Sequence, residues 1–224
     1  FYGIEINWWP AKIAETAMFL VDHQANRQLA AALGQAPVRL PIKITATIYQ
    51  HDALTLDWSQ ALPKPVGRTF VFGNPPFLGD TTRTGAQLAL MHAAWGGNKE
   101  LSRLDYVAAW HALTLRLLAE RDGEWAFVTT NSIVQGDQPA RLFAPIFAAG
   151  WRIKFAHRTF AWDSQAPGKA AVHCVIIGFT RDPGTKARLF KYEHARGEAR
   201  EVPGVKTINA YLVDGPNVLV DKRS

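Results

Sequence analysis

The chain has 224 residues, 48% hydrophobic and 20% charged, with 17 Gly and 13 Pro, which excludes disorder, collagen and coiled coil. No run approaches the ~18 uninterrupted apolar residues of a membrane span, and the single cysteine, Cys174, excludes an internal disulfide or a cysteine-rich metal site and fits a reducing, cytoplasmic setting. Residues 1–110 carry nine Lys/Arg against eight Asp/Glu and residues 111–224 sixteen against eleven, so the net charge of +6 sits mostly in the second half; that suits a polyanion such as nucleic acid, or simply solubility.

The chain starts at Phe1 with neither an initiator Met nor the charge that precedes a signal peptide's apolar run, and is expected to be a piece of something longer. Residues 1–6 form a short apolar strand with one acid, Glu5, near its end. Pro10 suits a first helical turn, and residues 11–33 are rich in helix formers and close at Gly34. Residues 44–49 alternate as a second strand that ends at His51-Asp52. Residues 69–73 form a third, running directly into Asn74-Pro75-Pro76-Phe77. Ser102 with Asp105 predicts a capped helix over 106–120. A buried strand over 124–130, a helix over 139–149 and strands over 152–157 and 171–180 follow, the last reading as central or nearly so. Strands alternating with helices predict an α/β fold with a mainly parallel sheet, whose ligands gather at the carboxyl ends of the strands. Glu5, Asp52 and the Asn74 loop all occupy that position. Beyond Asp182 the pattern breaks into short basic strands and turns.

The chemistry concentrates in Asn74-Pro75-Pro76-Phe77. Two consecutive prolines lock φ and remove two backbone donors, so the local carbonyls are not absorbed into a helix. The Asn74 side-chain oxygen and the Pro75 carbonyl are then free to accept hydrogen bonds from one amino group, and Phe77 is placed to lie against a planar heterocycle. Those are the requirements for methylating an exocyclic amine by positioning and oriented dipoles, without a covalent intermediate or a metal. A simple Asx-Pro turn at a strand end is the alternative reading of the same residues. Cytosine-C5 chemistry needs a cysteine after a proline, and no Pro-Cys pair occurs.

From Phe1 onward the chain resembles the amino-methylating S-adenosylmethionine-dependent DNA methyltransferases. Asn74-Pro75-Pro76-Phe77 matches their catalytic motif in its adenine-N6 form. Gly3-Ile4-Glu5-Ile6-Asn7 resembles the motif whose acid binds the cofactor ribose, which implies that role for Glu5 with Ile6 beside it. Asp52-Ala53 resembles the acid-plus-apolar pair that meets the cofactor adenine. The stretch 126–132 resembles the later sheet motif beside the catalytic loop. The runs 131–136, 155–162, 168–173, 176–179 and 208–213 narrow the resemblance to the MmeI-like (type IIL) group, single chains that join endonuclease, methyltransferase and target-recognition regions.

The resemblance implies a Rossmann-like class I methyltransferase sheet, here truncated at its N-terminal first strand and lacking that family's Gly-rich cofactor loop. Residues 1–182 would be a partial catalytic domain, and 183–224 its end together with the start of a target-recognition region. The implied partners are double-stranded DNA with a flipped adenine and the rest of the parent polypeptide, with no membrane, and the implied cofactor is S-adenosylmethionine, with no metal for methyl transfer. RNA or protein-glutamine methylation and a non-catalytic DNA-binding module remain the alternatives. The fragment by itself is expected to be inactive.

Secondary candidates lie further on. Phe160 and Trp162, read as part of an Arg/Lys-rich loop between two strands, are placed either to stack on an extruded base or to pack. Arg158 and Lys169 are candidate phosphate contacts. His157 and His173 read as structural, since no second ligand is spaced for a metal, and Cys174 as a core residue.

Overall fold

The computed structural model describes residues 1–34, 46–79, 81–162 and 172–220. Two compact units divide the chain, residues 1–63 and residues 64–224.

In the first unit, β1 (Tyr2–Glu5) pairs in parallel with β2 (Thr47–Gln50), in a register running from Tyr2↔Thr47 to Glu5↔Gln50. Parallel neighbours need a long crossover, and α1 (Trp8–Leu33) supplies it. The helix begins three residues before the expected Ala11. Pro10 sits third in it and costs no hydrogen bond, because the N–H groups of a first turn have no acceptor inside the helix. Its end is as read: Gly34 takes φ +74, the left-handed value that glycine adopts without strain, and donates to the Ala30 carbonyl. Pairing in β2 begins at Thr47; residues 44 and 45 of the expected strand lie outside the described residues. The four-residue α2 (Trp58–Ala61) follows, with Asp57 accepting from the Ser59 N–H at 2.9 Å.

The second unit is a six-stranded sheet backed by helices. Its strands are β3 (Thr69–Gly73), β4 (Gly123–Thr130), β5 (Arg152–Trp162), β6 (Val172–Thr180), β7 (Arg188–Tyr192) and β8 (Ala199–Glu201), in the order β3-β4-β6-β5-β7-β8. β3, β4, β5 and β7 run one way and β6 and β8 the other, so the sheet is mostly parallel, as expected. The helices are α3 (Gly85–Ala94), α4 (Ala108–Leu117) and α5 (Gln138–Ala148).

β4 alternates Trp125, Phe127 and Thr129 onto the helix side, where they are buried. Trp125 stacks on Phe179 with ring centroids 4.6 Å apart, and its indole N–H donates to His111 Nδ1 at 3.3 Å. α4 lies over this cluster and is buried nearly all round, carrying His111 and Thr114 inside along with Ala108, Ala112 and Leu113. α5 turns Leu142, Phe143 and Ile146 to the core, a stripe at helical spacing.

Two expectations need correction. The helix after residue 102 is shorter than 106–120, and its N-cap, Val107, makes no side-chain cap. Asp105 has other partners, described below. β5 extends five residues past His157, because β6 continues opposite it through Phe160↔Cys174 and Trp162↔Val172 beyond a bulge. Phe160 and Trp162 are therefore strand residues, not loop residues. α3 was not anticipated, although Thr84 and Gln87 form a complete capping box at its start; that Thr-x-x-Gln spacing was the readable signal.

Candidate functional site

The first unit presents two carboxylates at one sheet edge. Glu5 ends β1 and Asp52 follows the end of β2, so parallel pairing brings both to the carboxyl edge. The His51 N–H donates to the Glu5 carbonyl at 3.0 Å and extends the ladder to the threshold of Asp52. Glu5 Oε1 accepts from the Asn7 N–H at 2.9 Å, and Asp52 Oδ1 from the Leu54 N–H at 2.9 Å. Each side chain is thus oriented by one oxygen, while the other makes no hydrogen bond among the described residues. Ile6 is exposed, and the half-buried Ala53 accepts from the Trp58 indole N–H at 2.9 Å.

The second unit presents the proline loop at the carboxyl end of β3, beside β4 in the register Gly73↔Phe127. Pro75 is buried and pins the turn, Phe77 is half-buried, and Asn74 is exposed. Among the described residues, the Asn74 amide makes no hydrogen bond. One residue past Phe77, the Leu78 carbonyl accepts from the Tyr106 N–H at 3.0 Å. Next to it Asp105 is buried, with Oδ1 accepting from the Val107 N–H at 3.2 Å and Oδ2 from the Thr130 hydroxyl at 2.9 Å. This link between the segment before α4 and the end of β4 spans 25 residues and has no signature in sequence spacing.

The remaining candidates scatter. Phe160 packs against Tyr192 with centroids 5.1 Å apart and lies 6.2 Å from Trp162, whose ring is more open to solvent. Arg158 Nε donates to the Leu212 carbonyl at 2.8 Å, which ties β5 to the 208–214 turn. Leu212 itself is buried at φ +54, an uncommon conformation for a leucine. Lys169 lies outside the described residues. His157 stacks on Phe190 at 4.4 Å, and its Nδ1 is 2.8 Å from the Tyr192 hydroxyl. Burial, and then the Arg188 charge, hold its pKa below the ordinary value. His173 is exposed on β6. Cys174 is fully buried, and desolvation pushes its thiol up to about 11. Among the described residues no three His, Cys, Asp or Glu side chains converge to hold a metal ion, and no helix is long and apolar enough to cross a membrane.

Residues 1–191 match the family of the MmeI DNA-methyltransferase domain. The chain belongs to that family. It is 33% identical over 227 residues to DNA methyltransferase A of Bacillus subtilis (strain 168), covering 100% of this chain and 25% of that protein. The type IIL restriction–modification enzyme MmeI, solved in complex with DNA, superposes with a TM-score of 0.86 at 40% identity, covering 100% of this chain and 30% of that one. The chain therefore spans between a quarter and a third of the length of these relatives. The sheet described above is accordingly the α/β, class I-like sheet of an MmeI-type methyltransferase domain.

Proposed function

We propose that this domain moves a methyl group from S-adenosylmethionine to the N6 amine of an adenine in double-stranded DNA, as the modification part of a larger restriction–modification protein. The observation that carries the reading is the Asn74 amide, exposed and uncommitted just past the end of β3 and followed by Pro75, which is buried and rigid. The Asn74 side-chain oxygen and the Pro75 carbonyl would each accept a hydrogen bond from one N–H of the target amine, hold it in place and draw its lone pair out of conjugation. Such acceptors act mainly where charge develops, and their fixed placement avoids reorganisation during the reaction. Pro76 keeps the turn from relaxing into a helix, and Phe77 offers a face to the target ring. Because the amine is inaccessible inside a duplex, the adenine would be extruded, at a cost of a few kcal/mol in unstacking.

The donor set of the first unit fits the cofactor. Glu5 and Asp52 are each oriented by a backbone N–H and each keep one carboxylate oxygen for a ligand hydroxyl or amine. In this assignment Glu5 holds the ribose, Asp52 meets the adenine, and Ile6 and Ala53 supply apolar contact. S-adenosylmethionine, when bound, supplies an electrophilic methyl on a positively charged sulfur. Trp162, open to solvent beside Phe160, is the better placed of the two for base stacking, while Phe160 is engaged by Tyr192. Arg158 and Lys169 are assigned to DNA phosphates, Arg158 through the guanidinium nitrogens that its bond to Leu212 leaves over. Residues 1–182 are proposed as the catalytic part and 183–224 as its end and the start of target recognition, consistent with a family match that stops at residue 191. A cytoplasmic location is part of the same proposal.

The test is Asn74→Ala in the full-length protein, assayed by tritiated-methyl transfer to unmodified DNA. Transfer should fall by about 10²–10³, while cofactor affinity by calorimetry stays within a few-fold. Transfer at a near wild-type rate would show that this loop does not hold the amine.

A further inference from the structure

The loop that presents Asn74 is short and solvent-facing, so something beyond it must hold its far end. We propose that Asp105 is the positioning residue for the 74–77 loop, acting through the Tyr106–Leu78 hydrogen bond. The proposal deepens the methyl-transfer reading of that loop and rests on it.

Asp105 is only 5% exposed, a costly place for a carboxylate unless its oxygens are satisfied. They are satisfied from two separate places. Oδ1 accepts from the Val107 N–H at 3.2 Å, ahead of α4. Oδ2 accepts at 2.9 Å from the hydroxyl of Thr130, the last residue of β4, and the Ser132 hydroxyl of the following turn lies 3.4 Å from the same oxygen. The two hydroxyls lie 2.6 Å apart and hydrogen-bond to one another. The Asp105 N–H donates to Gln138 Oε1 at 3.1 Å, which adds the start of α5. A local cap for α4 would need only the Val107 bond. The rest of the set clamps the segment at 105–107 to the carboxyl end of β4, and the next residue, Tyr106, donates to Leu78 at 3.0 Å. β4 is the parallel neighbour of β3, so the clamp stands at the edge where Asn74 leaves the sheet. The loop is therefore held at both ends, by β3 before Asn74 and by the Asp105 segment after Phe77. The Asp105 carboxylate takes an N–H on one oxygen and a hydroxyl proton on the other.

The experiment uses the full-length protein and five variants: Asp105→Ala, Asp105→Asn, Phe77→Ala, the Asp105→Ala/Phe77→Ala double variant, and Asn74→Ala. A displacement of the loop by about 1 Å lowers kcat for methyl transfer by about 10–100-fold, which is the loss expected for Asp105→Ala, with S-adenosylmethionine affinity by calorimetry within about threefold. Asp105→Asn keeps an oxygen for Val107 and an amino group that can donate to the hydroxyl oxygens, so it should recover most of that kcat. In the double variant the two losses should fall well short of multiplying, because both act through one loop. An unchanged kcat in Asp105→Ala, equal losses in the Ala and Asn variants, or losses that multiply in full would each overturn the proposal. If Asp105→Ala does not fold, Thr130→Val removes a single donor from Oδ2 and should still lower kcat several-fold; an unchanged kcat there overturns it as well. Asn74→Ala separates the two levels: near wild-type transfer in that variant brings down the reading of the loop and this proposal together, whereas its silence beside an unaffected Asp105→Ala brings down the positioning role alone.

Discussion

Phe77 is half-buried at the end of the proline turn, a placement that suits either a stacking face or a packing wedge. A base stacked on an aromatic side chain gains about 1–3 kcal/mol and accepts any flat ring, so Phe77→Trp should keep most of the methyl-transfer activity that Phe77→Ala loses. Equal loss in both would assign Phe77 to packing. Glu5→Ala should give the reverse pattern to Asn74→Ala, with cofactor affinity weakened and DNA affinity retained, read by calorimetry with each ligand. His111 supports a prediction about acid stability. It is fully buried among Trp125, Phe127 and Phe179, and desolvation lowers its pKa from 6.5 to about 3. The folded protein keeps the ring neutral while the unfolded chain takes up a proton below 6.5, so stability is lost as the pH falls from 6.5 towards 3 and is unaffected above 6.5. The loss is at most about 1.4 kcal/mol per pH unit in that window. His111→Phe costs stability at neutral pH, because the Trp125 indole loses its acceptor, yet its loss between about pH 7 and 4 should be smaller than that of the parent. Parallel pH–stability curves for the two proteins would contradict a neutral buried histidine.

The elements that carry these residues depend on close backbone contact. β3 presents Asn74, and β3 is held against β4 in a register that starts at Thr69↔Gly123. A Cβ on Gly123 would stand 2.1 Å from the Thr69 carbonyl oxygen, a backbone atom that moves only if the strand moves. Gly123→Ala should therefore destabilise the domain by about 1–3 kcal/mol, the usual cost of overpacking, and lower methyl transfer by shifting β3. Thermal unfolding together with the transfer assay checks both, and an unchanged melting temperature would mean that the strands separate there without cost. β5 shows how an element acquires its length from a partner. Its first residues alternate recognisably, whereas Phe160 and Trp162 read as part of an Arg/Lys-rich loop and become strand residues because β6 offers a paired edge. Arg158 thereby points its Nε at Leu212 instead of lying in a free loop.

At the scale of the whole molecule, the uneven charge is the property that bears most on the proposed DNA binding. Sixteen Lys/Arg against eleven Asp/Glu lie in residues 111–224, but several of those cations are already paired: Arg188 with Glu201, Arg200 with Glu193, and Lys154 with Glu124. The usable positive surface is therefore smaller than the formal count. For the full-length protein, binding to DNA should weaken with salt at a slope of about −0.9 per phosphate neutralised in a plot of log affinity against log salt. Arg188→Ala should leave that slope unaltered, since its guanidinium is engaged bidentately by Glu201. A slope shallower by about one in that variant would make Arg188 a phosphate contact instead.

What the sequence determined by itself was local or strongly patterned. Strand β3 was legible residue for residue, α5 to within a residue, and β6 as an inner strand, because alternation and helical spacing are encoded within a single element. Asn74, Glu5 and Asp52 were legible as strand-end residues, because the rigidity of two prolines and the position of an acid after an apolar run are properties of adjacent residues. The tertiary structure decided what depends on partners distant along the chain. Asp105 read as a helix cap from its neighbours, and one oxygen does accept from the nearby Val107 N–H, but the other is taken by Thr130, 25 residues away. Phe160 read as a loop residue until β6 paired with it. His111 is marked by nothing in its own segment: the packing of α4 on β4 removes it from water and keeps it neutral. Burial and long-range hydrogen bonding are set by which elements meet, and the order of residues along one segment does not contain that information.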